Sequence, residues 1–188
     1  MASEANNSTY LVGMATEPWD NGEISSLEFA GMFNGTTNTS NTNKECQLFH
    51  DGCASGTAPM NTTKITFVNQ VGGEYADCIY VTDSVGRRKI PFSFSNYLGK
   101  PFQLSCTTSV AADRLAVASL NGTDVTTEWG ADASFGNGVG VAVINGRNQS
   151  SNRGLDGAIY GMRFYDRYLT PSERAKNLKT DIARYGVF

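Results

Sequence analysis

Residues Leu155 to Gly186 read LDGAIYGMRFYDRYLTPSERAKNLKTDIARYG, and strand, cap, helix and stop signals follow one another along them without ambiguity. Ala158 to Tyr165 is rich in aromatic and β-branched residues that suit a pleated, half-buried surface, and Asp156-Gly157 before it reads as a turn. Ile159, Met162 and Phe164 all favour a core, yet strict period-2 spacing cannot put 159 and 162 on one side. A bulge at Gly161 is therefore expected. Thr170 then reads as an N-cap, Pro171 as the first helical residue and Glu173 as the partner in a capping box. A helix over 171–185 follows, with Ala175, Leu178, Ile182 and Tyr185 as its apolar stripe and Arg174, Lys176, Lys179, Asp181 and Arg184 elsewhere on the cylinder. Gly186 ends it in the left-handed manner. If the stripe seals a core, truncation before Leu169 exposes apolar residues beneath it.

Upstream, short alternating segments supply what this unit packs against. Tyr10 to Val12 can start an edge strand, Trp19 to Gly22 reads as a turn, and Ile24 to Phe33 alternates weakly. Asn34 to Lys44 has no apolar residue and reads as a surface loop. Lys64–Gln70, Ala76–Thr82 and Lys89–Ser95 are strand candidates, the last demoted by Pro91 to an edge or a strand start. Phe102, Leu104 and Cys106 alternate, as do Leu115 and Val117, and Val139, Val141 and Val143. Asn121-Gly122 after the strand from Arg114 to Leu120 is a hairpin turn. Many short strands with one late helix make an antiparallel sandwich, because βαβ units would place helices between the strands.

DGAIYGMRFYDRYLTPSE resembles the C-terminal signature of the laminin-G-like, concanavalin A-like lectin and glucanase modules. In these a last strand of the form DG.I..VRIYNR runs into a short L(T/S)P.E helix. The hairpin at Asn121-Gly122 fits the same family's mid-domain strand. The resemblance narrows the sandwich to an all-β, antiparallel, two-sheet jelly roll with one short C-terminal helix. It covers the last third to half of the chain, and the expected organisation is one domain over 1–188 with a frayed 1–8.

Composition bounds the partners. A net charge of -3, with no block of like charge, gives no general attraction to nucleic acid or anionic lipid. No run of about 18 apolar residues is present to insert in a membrane, and the first ten residues lack the basic and apolar regions of a secretory signal peptide. The expected setting is extracellular or virion-associated, either as a domain cut from a longer secreted protein or through assembly into a phage particle released by lysis. Of the four cysteines, Cys78 and Cys106 fall in predicted strands and are expected to stay reduced, while Cys46 and Cys53 flank the loop HDG, where a bridge is left open. One histidine and no CxxC disfavour a zinc site.

Catalytic constellations are sparse. Retaining glycosidases need two carboxyl groups about 5 Å apart. Glu23 and Glu28, five residues apart, fall on opposite faces of a straight strand and read as solvated surface charges. His50 with Asp51 and Cys53 lacks an identifiable oxyanion donor. Asn34, Asn61 and Asn121 begin N-x-S/T triplets, read here as turns. No enzyme is expected.

What remains is WGADASFGNG (129–138) and RNQSSNRGLD (147–156), polar loops in which Trp129, Asp132, Asn148 and Arg153 supply the ring, carboxylate, amide and guanidinium that sugars engage. Each residue also has a purely structural use, Trp129 in a core, Asp132 in a turn and Arg153 as a surface cation. The resemblance also implies calcium on loop oxygens, for which Asp132, Asn137 and Asp156 are the candidates. The leading expectation is a non-catalytic recognition or adhesion module for a glycan or other surface ligand. The alternative is a phage decoration or tail-fibre domain whose partners are virion proteins, with glycoside hydrolysis third.

Overall fold

The computed structural model describes residues 11–14, 26–36, 45–53, 64–68, 78–82, 87–108, 115–125, 141–144 and 155–187. Among these residues eleven strands form two antiparallel sheets. One contains β1 (Leu11–Met14), β10 (Val141–Ile144), β3 (Glu45–Cys53), β4 (Lys64–Val68), β5 (Cys78–Thr82) and β6 (Arg87–Pro91), in that spatial order. The other runs β11 (Leu155–Tyr165), β2 (Ser26–Thr36), β7 (Pro101–Thr108), β8 (Leu115–Leu120) and β9 (Thr123–Val125). A single turn, α1 (Phe94–Tyr97), follows β6, and α2 (Pro171–Tyr185) follows β11. This is the expected two-sheet jelly roll, with β1 and β6 at sheet edges as Leu11-Val12 and Pro91 implied.

The core lies between the sheets. Leu27, Phe29, Phe33, Phe102, Leu104, Cys106, Ala118 and Leu120 meet Leu48, Ile79, Ile90 and Phe92 in one buried cluster. Phe102 stacks on Phe33 at 5.4 Å and tilts against Phe29 at 5.5 Å, arrangements that each contribute about 0.5–1.5 kcal/mol beyond area burial. Ile159, Met162 and Phe164 pack against this cluster together. The pairing of β11 with β2 shifts between Ile159 and Gly161, so the expected bulge is what reconciles their spacing.

Local signals at the chain's best-marked positions act as read. Thr170 Oγ1 accepts from Glu173 N–H while Glu173 Oε2 accepts from Thr170 N–H, and Gly186 closes α2 at φ 68°. Asn121 and Gly122 at φ 50° and 79° link β8 to β9. Both central residues have positive φ, as a type I′ turn requires.

Four expectations are corrected. Cys46 to Cys53 is not a loop: Glu45–Cys53 is one strand paired to β4 and β10. Seven residues of strand separate the two Cα atoms by on the order of 20 Å, far beyond disulfide reach, so these cysteines cannot bridge within one chain. The strand candidate Lys89–Ser95 ends at Pro91, and α1 begins three residues later. Asp156-Gly157 lies inside β11 at a second register shift rather than in a turn before it. Asn34 to Thr36 belongs to β2, leaving 37–44 outside the described residues, as are 1–10, Trp19 to Gly22 and Asn61.

Candidate functional site

Among the described residues two places concentrate polar side chains. The first is the outer face of the five-stranded sheet, beneath α2. Alternation along β2 and β7 sends Leu27, Phe29, Phe102, Leu104 and Cys106 to the core and Ser26, Glu28, Gln103, Ser105 and Thr107 to the opposite face, yet both sets are buried. Pairing places Ser26 beside Thr107, Glu28 between Ser105 and Arg163, and Ser105 beside Ser119. Ser26 Oγ bonds Thr107 Oγ1 at 2.6 Å and accepts from Leu169 N–H at 3.1 Å, tying the start of α2 to the sheet.

From above, α2 contributes Asn177 and Asp181. Arg163 forks both its Nη atoms onto the Asp181 carboxylate, Nη1 to Oδ2 at 2.8 Å, and Gln103 Nε2 donates to the same Oδ2 at 2.6 Å. Asn177 Nδ2 donates to Glu28 Oε2 at 2.8 Å and to Tyr165 Oη at 2.9 Å. Arg163 Nη1 stands 3.5 Å from Glu28 Oε2. Burial raises the Glu28 carboxyl above its ordinary 4.5, opposed by the Arg163 charge and the bonds from Asn177 and Tyr165. The Asp181 fork holds Arg163 fully charged.

These contacts overturn two expectations. Glu28 is not a solvated surface charge; it is fully buried. Nor does α2 dock by a continuous apolar stripe: Ala175 is exposed and Ile182 is 48% exposed, whereas Asp181, assigned to the outer side, is the helix's buried residue. Leu178 lies over Gly122, Tyr185 stacks on Tyr160 at 5.2 Å, and Leu169 and Val187 are buried at either end. Removing α2 thus uncovers mainly hydroxyls, an amide and a carboxylate. With Glu28 and Asp181 both sealed under the helix, a glycosidic bond cannot reach either one; Glu23 lies outside the described residues.

The second place is an open groove of about 600 Å³ between α1 and the β8–β9 hairpin, within the about 300–1,000 Å³ of small-ligand clefts. Its walls are Pro91, Phe92, Ser93, Asn96 and Tyr97 on one side and Leu120, Asn121, Thr123 and Val125 on the other. Tyr97 is half-buried and stacks on Phe92 at 4.7 Å, so its ring is fixed. Asn121 is fixed too, its Oδ1 accepting from Gln103 N–H at 2.7 Å. Asn96 and Thr123 are exposed. Alternation along β9 turns Asp124 away from the groove, where it accepts from Arg174 Nη1 at 2.7 Å.

Of the residues put forward from sequence, Trp129, Asp132, Asn137, Asn148 and Arg153 lie outside the described residues. Asp156 sits in β11 opposite Gly35, its side chain not described. His50, Asp51 and Cys53 lie in β3. Among the described residues no three His, Cys, Asp or Glu side chains are grouped to hold a metal, and no helix is long and apolar enough to cross a membrane. Asn96 and Tyr97 fall just beyond the strand candidate Lys89–Ser95 with no motif to mark them, and Asn121 reads as a turn former.

No family model matches the chain, and no curated protein matches it. Solved structures do. The CBM40 of the Ruminococcus gnavus IT-sialidase superposes with a TM-score of 0.54 at 13% identity, over 82% of each chain. The same CBM40 has also been solved bound to α2,3 and α2,6 sialyllactose. The binding domain of botulinum neurotoxin serotype D/C superposes at 0.60 and 13% identity, over 91% of this chain and 40% of that one. At these identities the likeness establishes a shared β-sandwich fold.

Proposed function

We propose that the chain is a non-catalytic recognition module of the laminin-G-like, concanavalin A-like type that binds glycans, displayed outside a cell or on a virion. The observation that carries this is the groove between α1 and the β8–β9 hairpin, where an immobilised aromatic ring stands among amides and hydroxyls on a rigid sheet edge. The fold it shares with a carbohydrate-binding module and with the binding domain of a neurotoxin supports the reading by analogy only. Val125, the last described residue of the groove, leads in sequence to Trp129, which we put forward as a further contact there; Asp132, Asn148 and Arg153 are put forward as ligand contacts on the loops 129–138 and 147–156. Chain 1–188 then acts as one recognition unit.

A glycan array probed with the wild-type chain and with Trp129→Ala, with and without calcium, tests the proposal. The expected result is binding to at least one glycan class that weakens in Trp129→Ala. Dependence on calcium would support an ion on the loops, with Asp132, Asn137 and Asp156 as the proposed ligands to substitute. No binding to any class overturns the reading and leaves a scaffold with protein partners.

A further inference from the structure

We infer that the groove beside α1 selects uncharged sugars, with Tyr97 as the platform for the apolar face of a pyranose ring; this rests on the glycan-binding reading above. None of the nine described residues lining the groove is charged. The nearest charge on the hairpin, Asp124, is turned to the other side of β9 and held by Arg174. A carboxylate-bearing sugar seated against these described residues would therefore meet neutral amides and hydroxyls, and a charge desolvated without a cation is strongly disfavoured. The net charge of -3 adds a weak general repulsion of the same sign.

The groups present match neutral sugar chemistry. Tyr97 is clamped by Phe92 on one face, and by an edge contact with Phe102 at 5.6 Å, so stacking a pyranose on it immobilises little that is not already fixed. Asn121 has its carbonyl oxygen taken by Gln103 N–H, which leaves its Nδ2 hydrogens to donate to a sugar hydroxyl. Asn96 and Thr123, both exposed, supply a donor and an acceptor apiece from opposite walls. Hydroxyls both donate and accept, and such a mixed set engages them where a phosphate or carboxylate would find donors too few.

The test is ligand-observed NMR titration against matched pairs: neutral gluco-, galacto- and manno-configured trisaccharides, and the same trisaccharides carrying one uronic or sialic acid residue. A neutral member is expected to bind more tightly than its acidic counterpart, with Asn96→Ala and Tyr97→Ala each weakening it roughly two- to tenfold. Asn96 is exposed, so that variant keeps the fold even if Tyr97→Ala does not. Tighter binding of acidic members overturns the selectivity and leaves glycan recognition standing. Neutral binding indifferent to both variants overturns the groove as its site. No binding by any sugar overturns this inference together with the function it rests on.

Discussion

Replacing Asp181 with alanine is the sharpest probe of how the C-terminal helix is held. The variant leaves the Arg163 guanidinium without its forked partner and Gln103 Nε2 without its acceptor. Removing one member of a buried ion pair costs about 3–5 kcal/mol. Arg163 keeps 26% of its side-chain surface in water and still has Glu28 at 3.5 Å, so the lower end, about 3 kcal/mol, is expected. Thr170→Ala removes a cap and should cost about 1 kcal/mol. Ile182→Ala, one residue from Asp181 but 48% exposed, should stay within about 0.5 kcal/mol. Urea melts at pH 7, compared at constant m, give the order directly. Should Ile182→Ala prove more damaging than Asp181→Ala, the helix is held by its apolar side chains and the polar layer is incidental.

Three further outcomes follow from named contacts. Because burial raises the Glu28 carboxyl, the stability it contributes is complete below its unfolded value near 4.5 and is lost as pH rises through its folded value. Glu28→Gln should therefore gain on wild type between pH 4.5 and pH 7.5, and a pH-independent difference in melt midpoints would contradict this. Cys106, fully buried with its thiol pushed up to about 12, should resist iodoacetamide in the native protein and react once unfolded, as peptide mapping will report. Gly122→Ala should destabilise by more than about 1 kcal/mol, since φ is 79° and a Cβ would meet the Leu178 side chain. Part of that loss should return in the double variant with Leu178→Ala.

What the sequence made legible was whatever local chemistry decides. Thr170, Pro171, Glu173 and Gly186 act through atoms within four residues, and Asn121-Gly122 needs only its own φ angles. The bulge at Gly161 was readable because three apolar residues could not otherwise share a face. Partners distant in sequence were not readable. Glu28 is buried by Arg163, Tyr165 and Asn177, and nothing within β2 announces that a helix will cover its outward side. The same blindness misassigned α2, whose apolar stripe predicts its docking face only when the surface below is apolar. In ECQLFHDGC the Asp-Gly signal for a turn was overridden by pairing on both sides of β3. The groove needs α1 and a hairpin brought together, a juxtaposition no single window contains.

The polar underside of α2 also bears on the order in which the chain is made. During synthesis β2 emerges long before its neighbour β11 and its cover α2; the bond from Tyr165 to Glu28 spans 137 positions. Throughout that interval one side of the sheet has no partner. Because that side carries Ser26, Glu28, Gln103 and Ser105, ribosome-bound intermediates present water with groups it already solvates, and chaperones with little to grip. The late helix then replaces solvent with matched donors and acceptors, so an interface assembled last can wait uncovered without becoming a nucleus for aggregation.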